Sequence, residues 1–303
     1  MITVDRIVCP VDFSPHARRA LDYAMAVARW YGAKLTVLHV SAVDLPVGSI
    51  TPWATPPEVR TSGIGRYALQ DMLSAFVRAE AASGVVIETA VVEGLVADEI
   101  ITQARVRAAD LVVIGTHGRS GVTRLLLGSV TEKVLRTAAC PVLTVPPAAP
   151  EAVPISAGLF KKIVCPTDFS PASAQSLRWA LAMAEESDAE VLVLHVFEHT
   201  VAVEHESFPR STLAQYRRAY EEWALTRLHD EVPDAARNWC TVRELTAAGS
   251  AHREIVRLAA EEACDLIVMG IGRSRGLVDR VVGSTTQHVV RAANCPVLSV
   301  VED

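Results

Sequence analysis

Short, nearly unbroken apolar runs recur along the chain: IVCPV at 7–11, KLTVLHV at 34–40, VVIETAVV at 85–92, DLVVIG at 110–115 and PVLTV at 141–145. Between them, apolar residues return every three or four positions. Runs of this length predict strands buried on both faces, and the three-to-four spacing predicts amphipathic helices. Ser14 followed by Pro15 forms an N-cap and first-turn pair, and Gly32 is suited to a left-handed stop, so the first helix is predicted over 15–31. Strands alternating with helices predict a parallel sheet covered on both sides.

The pattern then occurs a second time. Residues 6–40 align without a gap to 162–196, with about half the positions identical, and 109–145 match 264–300. A period near 155 residues is far longer than the ~20–50 residues of solenoid repeats, so the repeat is two whole domains. Pro146, Pro147, Pro150 and Pro154 mark an extended connector. The expected fold class is therefore α/β, with two tandem doubly wound domains, each a five-stranded parallel sheet with helices on both faces. They are expected over 1–147 and 161–303, joined by a Pro-rich linker at 148–160.

Composition narrows the function classes. The net charge is −6 with no dense Lys/Arg run, which argues against nucleic acid or an anionic membrane as partner. No apolar stretch approaches the ~18 residues of a spanning helix, and the start, Met-Ile-Thr-Val-Asp-Arg, has no basic leader, so a cytoplasmic location is expected. Six cysteines without a C-x-x-C pair do not form a staple pattern. Cys9 and Cys165 lie on first strands, and Cys140 and Cys295 directly precede last ones, which points to core packing.

Ligands of doubly wound sheets bind beyond the carboxyl ends of the strands, where the winding reverses. Strand one ends in Pro10-Val11-Asp12-Phe13-Ser14. Asp12 suits either a sugar diol and a water-held metal or the positive start of a helix. Strand four ends in Gly115-Thr116-His117-Gly118, and nine residues later come Gly128-Ser129-Val130 before a helical pattern. Glycines let backbone approach an anion, and free amides at a helix start bind phosphate oxygens. There is no Walker loop, no strict G-x-G-x-x-G, no S-G-G-x-D-S loop and no G-x-S-x-G elbow, and no catalytic residue is assigned. His195, Glu198, His199, Glu204, His205 and Glu206 fall close together, but their spacing matches no closed metal site, and His195 has a repeat partner in His39. The Pro-rich stretch at 44–60 with Trp53 reads as a lid or contact surface.

The Gly-x2-Gly-x9-Gly-Ser pattern, the strand-one aspartate and the closing Cys-Pro-Val resemble the ATP-binding class of universal stress proteins, in two copies covering nearly the whole chain. The resemblance implies strand order 3-2-1-4-5. It also implies that Asp12 contacts the ribose, the backbone around Val40 the adenine, and Gly115, Gly118, Gly128, Ser129 and Val130 the phosphates. Val11 would line the adenine pocket, while His117 and Arg119 would lie over the phosphates. Arg124 reads as a solvated loop residue. The second copy keeps Asp168, Val196, Gly270, Gly283 and Ser284, but Arg273 takes the position of Gly118, so its nucleotide motif is degenerate.

The resemblance implies ATP with Mg2+ as ligand, a stress-response or regulatory role with slow turnover at most, pairing of the two domains through their last strands, and a homodimer of chains. Two other readings stay open: a slow ATP hydrolase or phosphotransfer enzyme, and a ligand-free interaction module.

Overall fold

The computed structural model describes residues 2–42, 65–78, 84–116, 127–150, 159–197, 210–272 and 283–302. The first unit runs β1 (Arg6–Pro10), α1 (Pro15–Tyr31), β2 (Lys34–Ala42), α2 (Arg66–Phe76), β3 (Ile87–Gly94), α3 (Val96–Val106), β4 (Leu111–Gly115), α4 (Ser129–Thr137) and β5 (Val142–Val145). The second repeats it with β6 (Lys162–Thr167), α5 (Pro171–Ser187), β7 (Glu190–Phe197), α6 (Arg210–Glu231), β8 (Val242–Ala248), α7 (Ala251–Glu261), β9 (Leu266–Ile271), α8 (Ser284–Ala292) and β10 (Val297–Val301). Helix α1 starts where Ser14 Oγ accepts from the Ala17 N–H at 3.1 Å and ends at Gly32 in the left-handed region. Its duplicate α5 stops the same way at Asp188, φ 53°, a conformation that costs a non-glycine residue about 1 kcal/mol.

All ten strands form one sheet in the order β3-β2-β1-β4-β5-β10-β9-β6-β7-β8. Each unit is parallel in the order 3-2-1-4-5, and β5 meets β10 antiparallel, with Leu143 opposite Leu298. Alternation along each strand sorts side chains into two cores: Ile7, Cys9 and Val11 face α1, whereas Val8 faces the opposite side, with Ile100 and Val134 from α3 and α4. Both cores run through the seam into the second unit. Thr144 Oγ1 donates to Val297 O at 3.1 Å within that seam. Tyr23 on α1 donates to Pro150 O at 3.0 Å and Arg19 to Ala149 O, which fastens the chain leaving β5 onto the first helix.

Ion pairs close the amino ends of the strands. Glu88 on outer strand β3 meets Lys34 at 2.6 Å and Arg107 at 2.8 Å, which hold its carboxyl below the usual range. The second unit reverses each sign: Glu190 and Glu262 face Arg243, at 3.3 and 2.9 Å. Paired charges on outer strands also discourage edge-to-edge association. The carboxyl ends are left for chemistry.

The cysteines form no disulfide among the described residues, and Cys9, Cys165, Cys240, Cys264 and Cys295 are buried, whereas Cys140 is half-buried. Burial pushes the Cys165, Cys264 and Cys295 thiols up to about 12. Because the thiolate is the nucleophile, a chromogenic disulfide reagent at pH 8 is expected to modify Cys140 first in native protein, and the other five only after unfolding. Rapid native labelling of several thiols would contradict this packing.

Candidate functional site

Strands β1 and β4 are neighbours, while β2 and β5 lie on either side of them, so the winding reverses between β1 and β4. The chain leaving β1 makes a tight turn. Asp12 Oδ1 accepts from the Ser14 N–H at 3.0 Å, and Phe13 is left-handed at φ 64°. That conformation is strained for a bulky residue. Phe13 is held by a tilted ring contact with His39, with centroids 4.5 Å apart, and by an edge contact with Phe76 at 5.6 Å. The buried His39 donates from Nδ1 to Val11 O at 2.8 Å, which ties the end of β2 to the end of β1. Asp12 is half-buried, two residues beyond the end of β1.

Beside it, β4 ends at Gly115, whose carbonyl accepts from Thr131 Oγ1 at 2.8 Å. Gly128 donates its N–H to Thr116 O at 3.1 Å and serves as N-cap of α4 with no side chain to cap it. A Cβ on Gly128 would sit 3.3 Å from Thr116 O, so the start of α4 lies close against the end of β4. Ser129 is exposed and Val130 half-buried at this helix start. An uncapped helix N-terminus presents amide donors and positive potential to an anion. The structure thus brings Asp12, Gly115, Gly128, Ser129 and Val130 to one edge, with Val40 at the end of the next strand. It separates Val11 from Val40: their side chains lie in opposite cores, because each alternates onto its own face. His117, Gly118, Arg119 and Arg124 lie outside the described residues.

The second unit repeats the turn. Asp168 Oδ1 accepts from the Ser170 N–H at 3.0 Å, and Phe169 has φ 64°. Burial opposes ionisation of Asp168, but the Ser170 hydroxyl and amide and the Ser173 hydroxyl outweigh it and hold the carboxyl below its ordinary value. Val196 is half-buried at the end of β7. Gly270 has a packing role that its spacing does not reveal: a Cβ there would lie 2.2 Å from Ala172 O in the first turn of α5. Gly283 caps α8 without a side chain and, unlike Gly128, has nothing within 4 Å of its would-be Cβ. Arg273 is outside the described residues.

His195 is a buried ring between strand ends, donating from Nδ1 to Thr167 O at 2.9 Å and accepting at Nε2 from Tyr220 at 3.2 Å. It stacks on Phe169 with ring centroids 4.5 Å apart, the distance at which His39 meets Phe13 at a tilt. Glu198, His199, Glu204, His205 and Glu206 and the stretch around Trp53 lie outside the described residues. Among the described residues no group of three or more His, Cys, Asp or Glu is placed to hold a metal ion, and no helix is long and apolar enough to cross a membrane. The repeated Asp-Phe-Ser and Leu-His-Val were the sequence signal for the paired Phe-His stacks, visible only when both copies are read as one turn.

The pattern of the universal stress protein family matches residues 3–146 and again 159–300. A universal stress protein of Methanocaldococcus jannaschii is 34% identical over 143 residues, 46% of this chain and 81% of that protein. One from Mycobacterium tuberculosis is 25% identical over 301 residues, covering 96% of this chain and 95% of its own. Among solved structures, a universal stress protein from Archaeoglobus fulgidus shares the fold over 100% of both chains, with a TM-score of 0.66 at 20% identity. With both halves matched and a relative that spans the two of them, the chain belongs to the universal stress protein family as a tandem, two-unit member.

Proposed function

We propose that the first unit, residues 1–147, binds an adenine nucleotide, ATP with Mg2+, as a regulatory signal in a stress response, with slow turnover at most. The observation that carries the reading is the start of α4. It opens on Gly128 without a side-chain cap, close against the end of β4 and beside the turn that carries Asp12. The backbone there fits a polyphosphate: a side chain on Gly128 would crowd the edge, and the helix start favours negative charge. Gly115, Gly118, Gly128, Ser129 and Val130 hold the phosphates in this reading, with His117 and Arg119 over them. Asp12 accepts from the ribose hydroxyls and is the carboxylate at this edge that a metal would approach. Backbone groups around Val40 meet the adenine. Magnesium, when bound, would neutralise phosphate charge.

The second unit, residues 161–303, carries a degenerate version through Asp168, Val196, Gly270, Gly283 and Ser284. Its helix-start glycine, Gly283, has nothing within 4 Å of its would-be Cβ where Gly128 meets Thr116 O, and Arg273 replaces a glycine. A homodimer of chains in the cytoplasm belongs to the same proposal. Removing a charged hydrogen-bond acceptor costs about 1.5–3 kcal/mol, so Asp12→Ala is expected to weaken ATP binding about 10–100-fold by calorimetry while Asp168→Ala changes it little. Unchanged affinity in Asp12→Ala would count against the assignment.

A further inference from the structure

The two units differ at the rim next to the proposed base site, and this inference rests on the nucleotide reading above. Leu95 lies one residue beyond β3, whose register places Val92 beside Val40 and Gly94 beside Ala42. It is the N-cap of α3, where Ser, Thr, Asp or Asn would supply an acceptor, and it caps nothing. It is instead 57% exposed, an aliphatic side chain at the carboxyl edge of the sheet. Val92 and Val96, on either side of it in the chain, are half-buried against the same core as Val40.

In the second unit, where Ala247 pairs with Val196, the equivalent positions are Ala247, Ser250 and Ala251. Three bulky apolar residues of the first unit are thus small or polar in its duplicate. Ser250 forms a hydrogen bond with His252 Nδ1 at 3.0 Å rather than offering apolar surface. A bulky apolar rim gains nothing from phosphate or sugar hydroxyls. It gains from the flat face of a heteroaromatic base, which leaves water on contact with it.

We infer that Leu95, flanked by Val92 and Val96, is the residue that selects for a planar heteroaromatic base in the first unit, and that its absence leaves the second unit without base selection. Position 94, directly before Leu95, has φ 155° and Glu99 Cγ 2.6 Å from where a Cβ would stand, so glycine ends β3 and Leu95 follows at the rim.

The test is Leu95→Ser in the full chain, which installs the residue that the duplicate already tolerates at this position, with Leu95→Ala as a second variant. Binding of ATP and of inorganic tripolyphosphate is measured by calorimetry, and folding by thermal melting. The expected result is about tenfold weaker ATP binding (~1.4 kcal/mol) in both variants, with tripolyphosphate affinity within about twofold and melting unchanged. ATP affinity equal to that of the unmodified chain, or equal losses for ATP and tripolyphosphate, would overturn the assignment of Leu95 while leaving the nucleotide reading intact. No ATP binding by the unmodified chain would overturn both.

Discussion

Gly270→Ala is expected to destabilise the protein by about 3 kcal/mol, the upper part of the range for forcing one extra methyl into a packed site. The new Cβ would stand 2.2 Å from Ala172 O, 2.4 Å from its carbonyl carbon and 2.8 Å from Ser173 N. All three are backbone atoms of the first turn of α5, so no side chain can rotate away to make room. Either α5 lifts off β9 or the end of β9 bends. The first outcome disturbs the Ser170 cap and the Asp168 turn, because both lead directly into that helix. Gly272→Ala and Gly283→Ala are the controls: nothing lies within 4 Å of either would-be Cβ, and each is expected to stay within about 0.5 kcal/mol of the unmodified chain. Urea denaturation followed by circular dichroism measures all three. A Gly270→Ala midpoint equal to that of the controls would mean that the close contact between helix and sheet is not as described.

The second large effect is expected at the seam. Leu143 and Leu298 face each other across the antiparallel β5–β10 pair, both are about 2% exposed, and both belong to the core shared by the units. Replacing either with alanine removes a buried side chain and leaves a cavity bounded by both units, at a cost of about 2–5 kcal/mol. Because that core is continuous, each substitution is expected to shift one common unfolding transition. The double variant should depart from additivity by at least about 0.5 kcal/mol, as contacting residues do. Two separate transitions, with Leu143→Ala moving one and Leu298→Ala the other, would show that the halves unfold independently.

Much of the fold was legible in the residues. Apolar runs located the strands because parallel strands covered on both faces have no polar alternation, and Ser14-Pro15 and Gly32 located both ends of α1. The gapless repeat established two units before any element was assigned. What stayed hidden was long-range or negative. The left-handed Phe13 and Phe169 run against local preference and are stabilised by histidine rings on another strand, which no local pattern reports. The packing of Gly270 against α5 was not legible because glycine spacing is the same whether the missing side chain makes room for a ligand or for a helix. The placement of Val11 in the α1-side core follows from strand alternation with Ile7 and Cys9. The rim of Val92, Leu95 and Val96 became visible only when strand register aligned it with Ala247, Ser250 and Ala251.

In the proposed reading, the edge between β1 and β4 holds a nucleotide and its degenerate duplicate does not. The most direct measurement is the number of adenine nucleotides bound per folded chain: small molecules released on denaturing the purified protein are identified and counted, and the emptied, refolded chain is titrated with ATP and Mg2+. One nucleotide per chain is the predicted result, with binding lost in Gly118→Ala and kept in Arg273→Ala. No released nucleotide and no binding on titration would contradict nucleotide binding by this chain, and two per chain would contradict the division of roles between the units.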